Sequence, residues 1–389
     1  MQIVHLKLKN WRNFKSADID LQSRSFLVGP NAAGKSNFLD VFKFLRDVAK
    51  AEGGGLQKAI RDRGGISKLR CLAARTDPEI VIEIAIADED FDPETDEPEW
   101  TYSLGIRQEP RGDRLPYVAF EYVAHKGSEI LSRPSNVDKL DRARLTQTHL
   151  EQVSANKLFR EVARFLQSIT YLHLVPQLIR YADKFQGNQL EDDPYGQGFL
   201  ERVAKTTEKV RTSRLKKIEE ALRVAVPQMK ELRFARDPAS GRPHLEALYV
   251  HWRPNAGWQR EDQFSDGTLR LLGLLWCLLE RDSLLLLEEP ELSLNAAIVR
   301  RLPAIIAKMQ RSRERQVLIS THSDDLLADK GIDAGEVLLL QPNAEGTVVK
   351  AATSIPEVLA LLEGGMSVGE AVLPMTASPN LPQLSMFEA

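Results

Sequence analysis

Residues 29–36, Gly29-Pro30-Asn31-Ala32-Ala33-Gly34-Lys35-Ser36, have the spacing G-x-x-x-x-G-K-S and constrain the fold more than any other part of the chain. They follow a short apolar run, Ser25–Val28. They precede a segment in which Phe38, Val41, Phe42, Leu45 and Val48 recur at helical spacing. A strand, a tight loop and a helix in that order form a cradle for an anion. Gly29 and Gly34 let the backbone curl so that successive N–H groups point inward. Lys35 supplies a charge for the β- and γ-phosphates, and the Ser36 hydroxyl is a ligand for Mg2+. The helix from Asn37 adds the positive end of its dipole.

The C-terminal third supplies matching parts. Leu284–Leu287 reads as a buried strand ending in Glu288, Glu289, Pro290 and Glu291. Such a strand delivers its last residues to the carboxyl edge of a sheet, where open α/β folds bind ligands. Glu288 is placed to hold Mg2+, and Glu289 to orient and deprotonate an attacking water. Val317–Ser320 is a second strand, and the nearby His322 is a candidate sensor of the γ-phosphate. Ser265 and Gly267 precede the apolar stretch Leu269–Leu279. There Ser265 serves as a helix cap, at a helix end that is also an anion site. Asn295–Met309 reads as a further helix. Strands alternating with helices predict a largely parallel sheet covered on both faces.

Elsewhere the sequence predicts a hairpin around Asn10–Lys15, strands at Ile80–Ala87, Tyr102–Ile106 and Leu245–Trp252, and helices at Ala155–Leu166 and Arg202–Val224. Residues 88–100 hold eight acids and no Lys or Arg, which marks an exposed loop. His173 and His251 lie in apolar stretches and read as packing residues; Asp324-Asp325 reads as a helix cap. Gly365–Ala389, with two charges and three prolines, is expected to hold little fixed structure.

The order of phosphate loop, long middle, S-x-G helix, strand-Glu-Glu and strand-His resembles the ABC-type ATPase heads of the SMC/RecF/OLD class. The small bacterial AAA-type ATPases of that class are the nearest in kind. The form G-P-N-x-x-G-K-S-N of residues 29–37, with Asn31 and Asn37, carries the likeness. So does Trp11-Arg12-Asn13-Phe14-Lys15, which looks like the N-F-R-N-F element of such heads. The resemblance implies a P-loop NTPase fold: a mixed sheet flanked by helices, with the core split between 1–60 and 255–350 and a large α/β insert at 61–254. It implies ATP and Mg2+ as cofactors and a homodimer that closes on ATP. Ser265 and Gly267 would then contact the γ-phosphate in trans, and Arg12 would lie near the phosphates in cis. Ser293-Leu294-Asn295 looks like the D-loop at the dimer interface. Three departures point to slow turnover: Glu288 stands where aspartate is usual, Asp266 or Thr268 replaces a second glycine, and Asn295 replaces a histidine.

Composition excludes several other classes. Net charge is −3, so the chain is no basic nucleic-acid coat, and no run of 18 apolar residues offers a membrane span. Cys71 and Cys277 are isolated, which excludes a disulfide framework and fits a reducing cytoplasm; the start of the chain shows no signal peptide. Only 67 residues follow His322, too few for the Toprim domain of OLD nucleases, so any effector nuclease or toxin is expected on a separate chain. The N-terminal element and the long insert are unlike those of transport ATPases. Residues 202–217 hold Arg202, Lys205, Lys209, Arg211, Arg214, Lys216 and Lys217, a candidate DNA-backbone stripe if they share one helix. Gln383–Phe387 resembles the peptide by which bacterial proteins dock on the sliding clamp. The function expected is an ATP-driven switch in DNA maintenance or anti-phage defence. The alternative is a nucleotide-stabilised scaffold with negligible turnover.

Overall fold

The computed structural model describes residues 1–74, 77–93, 95–112, 114–182, 184, 193–253, 257–280, 284–311 and 315–376. The chain opens with a hairpin, β1 (Gln2–Trp11) and β2 (Phe14–Asp20), whose Arg12-Asn13 turn places Arg12 at φ +48°. β3 (Arg24–Val28) is buried along its whole length and leads into the phosphate loop. The helix Lys35–Ala49 follows, begun by Gly34 at φ +98°.

β4 (Ile80–Ala87), β5 (Trp100–Gln108), β6 (Pro116–His125) and β7 (Ser128–Arg133) then extend the hairpin into a six-stranded antiparallel sheet of order β2-β1-β4-β5-β6-β7. The acidic run lies in the β4–β5 connection, as expected. β8 (Thr170–Leu172) is a three-residue edge strand. β9 (Met229–Arg236), β10 (Pro243–Tyr249) and β11 (Trp258–Arg260) form a small antiparallel sheet. β12 (Leu285–Glu288), β13 (Val317–Thr321), β14 (Val337–Asn343) and β15 (Gly346–Ala351) complete a second six-stranded sheet, ordered β15-β14-β3-β13-β12-β8. All its pairings are parallel except β14 with β15.

Alternation along the parallel strands divides the core in two. Leu27, Leu284, Leu286, Leu318 and Leu338 face one cluster, which includes Phe38, Phe42 and Phe44 of the phosphate-loop helix. Phe26, Val28, Leu285, Leu287, Val317 and Ile319 face the other, against Trp276 and the leucines of the helix Asp266–Leu278. Both faces are therefore dry, which is why these strands read as unbroken apolar runs.

Several expectations are corrected. Within 61–254, β4–β7 prolong the sheet that β1 begins, and β8 joins the parallel sheet beside β12. Arg202–Val224 is two helices, Phe199–Lys205 and Glu208–Ala225. They break at Thr206-Thr207, where the Thr206 hydroxyl bonds back to the Arg202 carbonyl at 3.0 Å. Asn295–Met309 is also two, Ala296–Val299 and Leu302–Arg311, because Pro303 has no N–H to continue the first. Ala155–Leu166 begins as a 3₁₀ turn, Asn156–Phe159, before the helix Arg160–Gln167. The segment after Gly365 is more ordered than its composition suggested. Ser367 and Glu370 form a capping box for Val368–Val372, which buries Val368, Ala371 and Val372. Gln383–Phe387 lies outside the described residues.

Candidate active site

The parallel strands end at one edge, and the loops there bring the sequence-predicted residues together. The phosphate loop is braced from the hairpin turn. The Asn13 amide donates to the Ala33 carbonyl (2.9 Å) and to Thr347 Oγ1 (2.8 Å), and accepts from Asn37 Nδ2 (2.8 Å). Trp11 Nε1 donates to the Asn37 carbonyl at 2.9 Å. Asn13 fits against Gly34 so closely that a Cβ there would stand 2.1 Å from Asn13 Nδ2. A Cβ on Gly29 would meet the Leu340 carbonyl oxygen at 2.6 Å. The two motif glycines are thus required by space, and Gly34 by its left-handed φ as well. Asn31 is exposed on the loop.

Lys35 is buried, with its ammonium 3.0 Å from the Gly29 carbonyl oxygen and 3.2 Å from that of Pro30. Burial lowers its pKa against the pull of Glu289, Glu288 and Glu291. Ser36 Oγ donates to Glu288 Oε1 at 2.5 Å. The other carboxylate oxygen of Glu288 accepts from the Tyr171 hydroxyl, and its main-chain oxygen lies 3.3 Å from His173 Nδ1. His173 therefore borders the site and is not simply a packing residue. His251 is exposed and stacked on Trp252.

Glu289 has φ +44°, a backbone that costs a non-glycine residue about 1 kcal/mol or more. Two bonds hold it there: its N–H donates to the Ser320 carbonyl (3.0 Å), and Arg270 Nη1 donates to its own carbonyl (3.3 Å). The His322 Nε2 lies 3.5 Å from Glu289 Oε1. Burial first and Lys35 second lower the His322 pKa, so the imidazole is neutral at neutral pH. Glu291 accepts from the Thr321 hydroxyl (2.6 Å) and the His322 N–H (3.4 Å), and burial raises its pKa. Glu291 Oε2 and Arg270 Nε are both buried without a hydrogen-bond partner in the structure.

Not every expected residue joins this group. Arg12 turns its guanidinium onto Asp40 of the phosphate-loop helix, at 3.1 and 2.6 Å, and Arg63 binds the same carboxylate. Ser265 is exposed and caps its own helix by accepting from the Thr268 N–H at 3.2 Å; its described bonds are all local. Gly267 packs on the D-loop segment, where a Cβ would stand 2.7 Å from the Ser293 carbonyl oxygen. Asp324 and Asp325 sit in the first turn of a helix capped by Ser323, and Asp325 pairs with Arg300. The DNA-backbone stripe is not on one helix face. Arg211 covers the Phe234 ring, and Arg214 bonds the Glu280 carbonyl oxygen at 3.1 Å. Arg202 lies 3.6 Å from Asp193, leaving the lysines exposed.

The donor set suits a nucleotide with Mg2+. No group of three or more His, Cys, Asp or Glu side chains able to hold a metal occurs among the described residues. Ser36 and Glu288 supply one hydroxyl and one carboxylate, the sparse protein share of a cation otherwise ligated by phosphate and water. Sequence reasoning gave no role to Asn13, Tyr171, Arg270 or Glu291. Asn13 carried a signal in its place in the Trp11–Lys15 element and Glu291 in the acidic run; Tyr171 and Arg270 carried none.

The fold is that of the P-loop ATPase heads of the ABC type, as found in SMC proteins. Residues 24–329 match the family described as "AAA domain, putative AbiEii toxin, Type IV TA system", and the chain belongs to that family. Over 94 residues it is 30% identical to the DNA replication and repair protein RecF of Roseiflexus castenholzii, a match spanning 22% of this chain and 24% of that one. Among solved structures, an SMC head bound to the C-terminal winged-helix domain of ScpA is similar over 90% of this chain and 98% of its own, with TM-score 0.54 and 18% identity. The SMC head domain from Thermotoga maritima is 15% identical over 90% of this chain and 99% of its own, with TM-score 0.46. Among the described residues no helix is long and apolar enough to cross a membrane.

Proposed function

We propose that the chain binds ATP with Mg2+ at this edge, hydrolyses it slowly, and closes as a homodimer on the nucleotide. The observation that carries this reading is the meeting of Lys35, Ser36, Glu288, Glu289 and His322 around one loop. Bound Mg2+ supplies positive charge where the transferred phosphoryl group develops negative charge. Ser36 and Glu288 would hold that ion, and Lys35 the terminal phosphates. Glu289 would take the proton of the attacking water. The neutral His322 would donate from the nitrogen that faces Glu289. Ser265, whose described bonds are local, and Gly267 would meet the nucleotide of a second copy. Such closure suits a switch that controls a separate effector in DNA maintenance or anti-phage defence, in line with the RecF likeness and the toxin-related family.

The test compares wild type with Glu289→Gln. Phosphate release should fall about a hundredfold or more, while light scattering with ATP and Mg2+ should show twice the monomer mass. The dimer should vanish in a Ser265→Arg variant. Equal phosphate release by wild type and Glu289→Gln would overturn the hydrolytic role and leave the scaffold reading in its place.

A further inference from the structure

Glu288 is one methylene longer than the aspartate usual at its position, so it has one more torsion to fix. The structure holds it at both oxygens. Oε1 faces Ser36, and Oε2 accepts from the hydroxyl of Tyr171. Tyr171 comes from β8, the edge strand, where it stands opposite Leu286 in register with β12. Tyr171 is 7% exposed, and the Lys43 ammonium lies 3.8 Å from its ring centroid. Lys43 belongs to the phosphate-loop helix, so the ring is clamped between that helix and the acidic strand.

We propose that Tyr171 is the positioning residue for Glu288: its hydroxyl ties one carboxylate oxygen so that the other alone faces Ser36 and the cation. This rests on the reading of the site as one for Mg2+ and a nucleotide. A hydrogen bond from behind orients a metal-ligating carboxylate and sharpens its affinity. Without it the longer Glu288 side chain samples rotamers that turn away from Ser36. An aspartate at position 288 would draw its carboxylate back by one methylene from the phenol, so the tie should matter most to the glutamate.

The experiment uses the full chain and four proteins: wild type, Tyr171→Phe, Glu288→Asp and the double variant. Binding of Mn2+ in the presence of a non-hydrolysable ATP analogue is read by electron paramagnetic resonance. Binding of a fluorescent ATP analogue in EDTA is read separately, with thermal melting as a check on folding. Tyr171→Phe should weaken Mn2+ binding about tenfold. Metal-free nucleotide binding should stay within about twofold of wild type. In the Glu288→Asp background the same change should add less than about twofold. Mn2+ binding by Tyr171→Phe equal to wild type would overturn the proposal while sparing the nucleotide reading. So would an equal loss in both backgrounds. A wild type that binds neither analogue nor Mn2+ would overturn the nucleotide reading and this inference with it.

Discussion

Asn13 and Gly34 are expected to behave as one unit in stability, and the size of their coupling follows from the contacts. The Asn13 side chain makes three hydrogen bonds, to Ala33, Thr347 and Asn37. The Ala33 carbonyl keeps a second donor, Thr347 Oγ1 at 2.9 Å, when Asn13 is removed. At about 1 kcal/mol net for each bond, Asn13→Ala should lose about 2–3 kcal/mol. Gly34→Ala incurs two penalties. Its φ of +98° costs an L-residue about 1–2 kcal/mol. Its Cβ, 2.1 Å from Asn13 Nδ2, expels that side chain and forfeits the same bonds. The expected total is about 3–5 kcal/mol. In the double variant there is no amide left to expel, so the loss stays at about 3–5 kcal/mol and does not reach the sum of about 5–8. Urea unfolding of the four proteins without nucleotide measures this. A double variant whose loss equals the sum to within about 0.5 kcal/mol would show that the turn and the loop are independent.

Three further outcomes follow from the acidic edge. Arg270→Lys keeps the charge beside Glu291 but loses the reach to the Glu289 carbonyl; phosphate release should fall about tenfold, the worth of one such bond. Its urea midpoint should stay close to that of wild type, and a shift in stability without a loss of rate would refute the positioning role. Glu291 has a raised folded pKa, so the native state binds its proton more tightly than the unfolded chain does. Wild type is therefore favoured by this group below the unfolded value and loses that contribution as pH rises through the folded one. Glu291→Gln has no such loss. Its stability relative to wild type should grow as pH rises above the ordinary carboxylate range, measured by unfolding at each pH. A difference independent of pH would refute the assignment to Glu291. Thr347→Val should weaken nucleotide binding by removing the second brace on Ala33, and unchanged affinity of a fluorescent ATP analogue would refute that link.

The apolar strands and the loop residues at their ends were legible because both follow from local rules. A strand buried on two faces is apolar along its middle, as in Phe26–Val28 of β3, Leu285–Leu287 of β12 and Val317–Ile319 of β13. A phosphate loop must carry glycine where a neighbour leaves no room for a Cβ, and Gly29 and Gly34 do. The helix breaks were harder to see. Thr206-Thr207 and Pro303 sit inside good amphipathic patterns, and periodicity continues across a break that only the backbone bonds reveal. The middle of the chain misled for a different reason. β8 has three residues, too few for a pattern, and its membership of the parallel sheet is fixed by partners more than a hundred residues away. The described part of the supposed loose tail also depends on a distant surface: Gly369 lies so close to Leu327 that a Cβ would stand 2.7 Å from its carbonyl oxygen.

Lateral strand order explains which site residues a sequence can and cannot assign. Parallel strands deliver their ends to the same edge, so reading each strand separately is enough to gather Ser36, Glu288, Glu289 and His322 there. Contact depends on neighbours. β13 lies between β3 and β12, which brings His322 beside the Glu289 carboxylate while Ser36 reaches across to Glu288. β8 lies on the far side of β12, and that alone sets the Tyr171 hydroxyl against Glu288. Nothing local to Tyr171 marks it, since a tyrosine near the end of a short apolar strand is an ordinary packing residue in most sheets. Its partner makes it different: a carboxylate one methylene longer than usual, whose second oxygen would otherwise have no fixed direction. The departure at Glu288, which read alone points to slow turnover, is matched by a donor on the adjacent strand, and the two should be lost or kept together.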